Sequence, residues 1–328
     1  METQNFNRRQ LLKAGALLST ALLLDIDPVQ AAAPAARKTP ALTPAEIAAI
    51  EAAIGKKGMY KEAEATHTTP LPRNDLKVTI QDQPVPIPFG FGGWVSVKKT
   101  LDGKSAVLMS DNVLLQEEVN PLITAVQANG LEVGAIHNHF FYEQPRIFYM
   151  HVHGMGSAEE LAKKYARAIA ETKISPKNQP PAGPPPPKTG KDIFDVAQLN
   201  GIVKSEAAIN GPTIKYTLGR KDLTILAMGA EMTPSIGLNT WAAFTGSMES
   251  AYIAGDVAML DHEVNAVIKT LRAHNLEVVA VHNHMLGDKP HIIFLHYLGE
   301  GPALQLAKGF RAALDELGKK GSTTEMKM

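Results

Sequence analysis

The segment AIHNHFFYEQPRIFYMHVHG, Ala135 to Gly154, gathers four of the chain's 11 histidines: His137, His139, His151 and His153. Neutral imidazole is the commonest metal-ligating side chain. The chain has no cysteine. That excludes thiolate sites, disulfides and cysteine nucleophiles, so a metal site must be built from histidine, carboxylate or backbone oxygen. Residues two apart on a strand share a face. His137 and His139 therefore project together, as do Tyr149, His151 and His153. If the two strands pair as an antiparallel hairpin, His137, His139 and His151 converge on one point. Three imidazoles there suit a tetrahedral metal with one position open. Zinc fits neutral imidazoles best, and another divalent transition metal such as copper or nickel would accept the same ligands. The competing reading is a set of core histidines that only pack and hydrogen-bond.

The pattern occurs twice. EVNPLITAVQANGLEVGAIHNH from Glu118 matches EVNAVIKTLRAHNLEVVAVHNH from Glu263, and the register holds as far as LAK at Leu161 and Leu306. Upstream, LPRNDLKVTI at Leu71 matches LGRKDLTILA at Leu218, and Trp94 matches Trp241. Such self-similarity marks a tandem duplication. Each copy is about 130 residues, the size of one small domain. The second copy supplies His282, His284 and His296, and carries Leu298 where the first has His153. The shared ligand set is thus three histidines per copy, with His153 an optional fourth. His67, His262, His274 and His291 lie outside the pattern.

Two further constellations flank the histidines. Glu118 and Glu263 open a helix that feeds directly into the histidine strand. A first-turn glutamate is favoured by the helix dipole. It is also placed to reach a metal's open position as general acid or base. After the second strand, Gly154, Gly156 and Ser157, with partners Gly299 and Gly301, lead into another helix. They form either a tight turn or a pocket of free N–H groups for a small anionic ligand. Arg73 with Asp75, and Arg220 with Asp222, are spaced for same-face ion pairs, while Asn138 and Asn283 point away from the histidine face and serve the backbone. There is no nucleophile elbow, Walker loop, Rossmann fingerprint or H-E-x-x-H motif. The literal HNH is not a nuclease signature, since that motif is spread over tens of residues.

These side chains need sheets and helices to position them. Thr43, Pro44 and Glu46 begin a helix that stops at Gly55. Strands are expected around 76–80, 93–98 and 106–110, then a helix over 118–129 with Pro121 in its first turn. Strand 131–139, a turn at 143–145, strand 146–153 and helix 157–171 follow. The second copy repeats the order. The expected class is α+β: a duplicated domain, each copy a mainly antiparallel sheet packed by helices. The copies span 41–174 and 191–320, joined by the proline-rich linker SPKNQPPAGPPPPKTG at 175–190, with a tail at 321–328. Lysine plus arginine and aspartate plus glutamate balance at 33 each, so no basic field points to nucleic acid. The N-terminus carries Arg8-Arg9, Lys13, an apolar run from Ala14 to Leu24 and small residues near Ala31 and Ala33. It reads as a twin-arginine signal over 1–33, which predicts a periplasmic or secreted protein. The apolar run is too short to span a bilayer, and with no cysteine to lipidate, no stable membrane anchor is expected. Oligomeric state is left open.

Taken together, L-x-R-x-D-L, the tryptophan strand, EVN, L-E-V-x-A-x-H-N-H, the following P…H…G-x-G and LAK resemble the LppY/LpqO-type lipoprotein family, bacterial envelope proteins built on a domain of unknown function. The resemblance covers nearly all of the chain after the signal, in both copies. It implies an exported protein and leaves the chemistry open. The histidine spacing alone is also similar to the zinc-binding group containing acetolactate decarboxylase. Two functions follow as expectations: a three-histidine zinc protein with hydrolase or lyase chemistry on a small carbonyl or carboxylate substrate, or a non-catalytic envelope protein that binds a ligand or partner.

Overall fold

Alternation of apolar residues sets the strands, and the same alternation decides what each sheet face meets. The computed structural model describes residues 38–319. The expected export signal at 1–33 and the tail at 321–328 therefore lie outside the described residues. In the first repeat, α1 (Pro44–Ile54) is followed by β1 (Met59–Lys61), β2 (Thr66–Pro72), β3 (Val78–Ile80), β4 (Gln83–Val85), β5 (Gly92–Lys99) and β6 (Ala106–Leu115). Then come α2 (Gln116–Ala128), β7 (Glu132–His137), β8 (Glu143–Gln144), β9 (Ile147–Gly156) and α3 (Ala158–Ala168). The expected capping box forms: Thr43 Oγ1 accepts from the Glu46 N–H and the Glu46 carboxylate accepts from the Thr43 N–H. Gly55 ends α1 in the left-handed region that glycine tolerates. Helix α2 starts at Gln116, earlier than its charge pattern predicted, so Pro121 lies inside it and removes one backbone donor.

The linker segment Pro176–Asn178 forms one 3-10 turn, and 180–189 is exposed without helix or strand. The second repeat continues with the short α4 (Gly190–Ile193), α5 (Val196–Val203), β10 (Ala208–Asn210), β11 (Thr213–Gly219), β12 (Ile225–Ala227), β13 (Ala230–Met232), β14 (Asn239–Gly246) and β15 (Ala251–Leu260). It closes with α6 (Val264–Ala273), β16 (Glu277–Asn283), β17 (Ile292–Gly301) and α7 (Ala303–Leu314). Both repeats form a six-stranded antiparallel sheet of identical topology, β1-β2-β5-β6-β9-β7 and β10-β11-β14-β15-β17-β16. The α+β duplication is thus present as expected. So is the histidine hairpin: β7 pairs with β9, placing Ala135 opposite His151 and His137 opposite Tyr149.

Each sheet buries one face against its own helices. Leu108, Leu114, Met150 and Val152 join Leu122, Val126, Leu161 and Tyr165 in one core, and Ile253, Val257, Leu295 and Tyr297 join Leu271 and Phe310 in the other. The opposite faces meet each other. From Lys38 onward the chain is one compact unit. Val78, Ile80 and Val85 of the β3–β4 hairpin share a core with Trp241, Ala243, Ala254 and Leu298 of the second repeat. Reciprocally, Ile225, Ala227, Ala230 and Met232 of β12–β13 share one with Val107 and Met109 of the first. The result is helices, sheet, sheet, helices, with the two sheets related by a pseudo-twofold axis. Because the helix-facing side of each sheet is apolar, the alternate residues of β5, β6, β9 and their counterparts point into the intersheet layer.

Candidate metal centre

That layer receives the histidines. On β9, Tyr149, His151 and His153 face inward while Met150 and Val152 face the helices. On β6 the inward set is Val107, Met109, Asp111 and Val113, and on β15 it includes Asp256. The sheets close on one another so that His137 stacks on its own counterpart His282, ring centroids 3.7 Å apart and planes 14° from parallel. The axis passes between these two rings. About it lie matched cross-repeat contacts: His139 stacks on His296 at 3.7 Å, and His284 meets His151 at 3.8 Å with Nδ1 to Nε2 at 2.8 Å. His137 Nε2 and His139 Nε2 are 3.1 Å apart. Asp111 lies 3.9 Å from His139 and 3.7 Å from His151, and Asp256 lies 3.8 Å from His296.

The six predicted histidines therefore come together, but as one shared cluster rather than a triad in each copy. The groups whose ligand atoms all fall within 4.8 Å are His137–His151–His282, His137–His139–His296 and Asp256–His282–His296. The first two mix the repeats, and His137, His282 and His296 recur between groups. The physical reason is the intersheet packing: each histidine's nearest imidazole across the axis is as close as those on its own hairpin. Buried His and Asp clusters able to coordinate a metal ion are present; the two aspartates were not anticipated.

Polar atoms in this layer are left without partners. Asp111 Oδ1, Asp256 Oδ1, the Nδ1 atoms of His137, His139 and His151, and the Nε2 atoms of His153, His282 and His296 are buried and make no hydrogen bond among the described residues. Native interiors hold only a few such atoms scattered through a domain, each costing about 1–3 kcal/mol, whereas here they gather in one layer. Burial, reinforced by the neighbouring imidazoles, holds His137, His139, His151, His284 and His296 well below their ordinary pKa. Burial brings His282 to about 4. All six are neutral at pH 7, the form that ligates metal. Burial also raises Asp111 to about 7, with Lys215 pulling the other way, and pushes Asp256 well above the carboxylate range, helped by Asp111. A cation would relieve both effects at once: it accepts neutral imidazole and carboxylate ligands and offsets the charge that burial disfavours. The donor set fits a divalent transition metal.

A cavity of about 850 Å³ opens onto this cluster, and Trp94, Trp241, Asp111, Asp256, His139 and His284 are among its walls. Tyr149 stacks on His139 at 3.3 Å and donates its hydroxyl proton to the Gly90 carbonyl, locking that ring pair. Gly237 must be glycine, with φ of 103° and a built Cβ only 2.2 Å from His284 Nε2.

The other predicted residues lie elsewhere. Glu118 accepts from Arg73 Nη1 at 2.7 Å, from the Leu115 N–H at 2.8 Å and from the Lys173 N–H at 3.0 Å. Glu263 is held likewise by Arg220, Leu260 N–H and Gly318 N–H. Arg73 and Arg220 also form the expected pairs with Asp75 and Asp222. Both glutamates are thus consumed in capping and ion pairing, and neither belongs to the groups of potential ligands. Gly154 and Gly156 are strand residues of β9, and Gly299 and Gly301 of β17, rather than an open turn. A Cβ on Gly154 would strike Leu131, and one on Gly299 would strike Leu276, so these glycines admit close strand–core packing. Ser157 accepts from the Glu160 N–H as the α3 N-cap. His153 sits over Gly134 at the β-bulge between Val133 and Ala135, beside the cluster and outside its ligand groups. Asn138 donates to the Ile147 carbonyl, the backbone role expected of it.

Comparison with known proteins agrees with the duplication. No curated protein matches the chain. Among solved structures, the double ringed trimeric shell protein MSM0271 from the RMM microcompartment is similar at 12% identity over 65% of this chain and 83% of that one, with a TM-score of 0.18. The trimeric bacterial microcompartment shell protein PduB is similar at 10% identity over 80% and 95%, with a TM-score of 0.19. Scores this low do not establish a common fold. The model of the Domain of Unknown Function (DUF1259) matches residues 48–171 and again 197–316. The chain belongs to the DUF1259 family, whose domain it carries in two tandem copies.

Proposed function

We propose that this protein is an exported metalloprotein with one metal centre shared by its two repeats. Its ligands come from His137, His139, His151, His282, His284 and His296, with Asp111 and Asp256 able to contribute. The observation that supports this most is the set of unpartnered buried imidazole and carboxylate atoms gathered on the pseudo-twofold axis. A core that needed these histidines only for packing would have paired their nitrogens. Zinc is the metal of choice, since it accepts neutral imidazole and carboxylate in an adaptable geometry. Bound there, it supplies Lewis acidity to a small carbonyl or carboxylate substrate, consistent with hydrolase or lyase chemistry. The chain's own residues position that chemistry: Tyr149 fixes His139, the two tryptophans wall the approach, and burial keeps the imidazoles neutral. The N-terminal motif supports export by the twin-arginine route, and the repeat motifs support kinship with the LppY/LpqO-type envelope proteins. No described helix is long and apolar enough to cross a membrane.

Elemental analysis of the purified, tag-free protein tests the reading. A stoichiometric divalent metal, lost in His137→Ala/His282→Ala, is expected. Metal-free protein that takes up none on incubation with zinc would overturn it. For export, fusing residues 1–37 to a folded reporter should give periplasmic signal that disappears in Arg8→Lys/Arg9→Lys; a signal unaffected by that change would refute the twin-arginine route.

A further inference from the structure

The two repeats are not equivalent at the cavity wall. Thr68 on β2 and Lys215 on β11 occupy matching positions, opposite Ser96 on β5 and Ala243 on β14 respectively. In the first repeat the position is satisfied. Thr68 Oγ1 donates to the Ser235 carbonyl at 3.0 Å and lies 2.8 Å from Ser96 Oγ, which also reaches that carbonyl. In the second repeat Ala243 offers nothing to bond. The Lys215 ammonium lies over the Trp241 ring at 4.2 Å, partly buried, with no carboxylate within 4.0 Å among the described residues. Both tryptophans, the chain's only two, stand on the same cavity wall as Lys215.

We propose that this cavity is a binding site for a small monoanionic carboxylate, with its charge on the Lys215 ammonium and its apolar body against Trp94 and Trp241, facing the histidine centre. The wall also carries Lys56, Lys61, Asp111, Asp256 and three of the histidines, but Lys215 is the lysine that lies over a tryptophan, and an ammonium beside an indole face suits a single negative charge on an apolar body. Burial lowers the Lys215 pKa to about 8 against the pull of Asp111 and Asp256, and an anionic ligand in contact with the ammonium would raise it. Asp111 and Asp256 share the wall, but they lie within 3.9 Å of the cluster imidazoles and beyond 4.0 Å of the Lys215 ammonium, so they face the histidine centre and leave the ammonium to the ligand. The anion site is thereby assigned to Lys215 and not to the glycines that end β9 and β17. The inference rests on the metal reading only for the group the ligand faces; the lysine and tryptophans act without it.

Tryptophan fluorescence reads the cavity directly. The full-length protein, zinc-loaded and metal-stripped, is titrated with acetate, L-lactate and benzoate, and with benzamide as the neutral counterpart of benzoate. A saturable change with at least one carboxylate and none with benzamide is expected. Lys215→Met should weaken that binding by roughly tenfold or more, the loss expected for one charged hydrogen bond, and Lys215→Arg should restore it to within a few-fold. Binding unaltered in Lys215→Met, equal response to benzamide, or no saturable response to any carboxylate would overturn the proposal. The two readings fail separately: lysine-dependent binding in a protein that retains no metal keeps this site and removes the metal, whereas retained metal without carboxylate binding does the reverse.

Discussion

Replacing Gly134 by alanine should reveal how the first repeat accommodates its extra histidine. A Cβ built on Gly134 falls 1.9 Å from His153 Nε2 and 2.4 Å from Cε1. Ordinary carbon contacts are about 3.5–4 Å, so the ring must move by roughly 1.5–2 Å. His153 is only 1% exposed and packed between sheet neighbours, so that space has to come from strained rotamers or backbone shifts. Overpacking of this kind costs about 1–3 kcal/mol. The second repeat shows the other solution: at the matching bulge between Val278 and Ala280 it carries Val279, packed in the cluster that holds Leu298. A small residue is needed in the first repeat only because a histidine lies over it. Gly134→Ala should therefore destabilise by about 1–3 kcal/mol, and His153→Leu alone by no more than about 1 kcal/mol, since it removes a nitrogen that has no partner. The double variant should be nearly as stable as wild type. Urea unfolding of the four proteins gives the cycle. A coupling energy above about 1 kcal/mol is expected, and additivity within about 0.5 kcal/mol would refute the packing argument. His153→Leu should also leave metal content unchanged.

The remaining predictions concern the ion-pair knots and the buried imidazoles. Glu118→Ala leaves fully buried Arg73 without one of its two acidic partners, so stability should fall by about 3–5 kcal/mol, the cost of breaking a buried pair. Metal content should stay the same; loss of metal from a still-folded Glu118→Ala protein would restore a role for this glutamate at the centre. Acid should destabilise the metal-free protein early. The six cluster histidines have folded pKa values depressed below 6.5, so the unfolded chain binds more protons than the folded one as pH falls below 6.5, and stability is lost down to the folded values. Asp111 and Asp256 act in the opposite sense, because their raised values make the folded state the better proton acceptor above the ordinary carboxylate range, up to about 7 for Asp111, but they are two against six. Urea midpoints measured in chelator at pH 7.5 and 5.5 should drop; equal midpoints would show that the histidines are not buried neutral. Below about pH 4, the ordinary carboxylate range, a further loss is expected as Asp75, Asp222 and Glu263 protonate. Their values are lowered because arginine and backbone partners outweigh burial, so the stability they provide is present above that range and lost beneath it.

Much of this architecture is legible in the chain because duplication shows each feature twice. The Arg73–Asp75 spacing, the α1 capping box and the β7–β9 hairpin depend on contacts within a few residues or one turn, and such contacts follow local rules. Lys215 and the aspartates were missed for different reasons. Asp111 in AVLMSDNVLL and Asp256 in AYIAGDVAML are lone acids at matching places in apolar strands, a signal that was available. Lys215 has no such signature, because its partner in the other copy is Thr68 and its meaning depends on the cavity. The merging of two expected histidine triads into one cluster depends on how the sheets face each other. No period along either repeat encodes that, since an inward face looks the same whether it meets a helix, solvent or a second sheet.

The most direct test of the central claim is the metal stoichiometry of the tag-free protein compared with two variants that each damage one repeat only, His137→Ala and His282→Ala. A centre shared across the axis predicts that either substitution alone removes most of the metal from the whole molecule, because each takes a ligand from the same cluster. Retention of half the wild-type metal in each single variant, with none in the double, would contradict it and return the histidines to two independent sites.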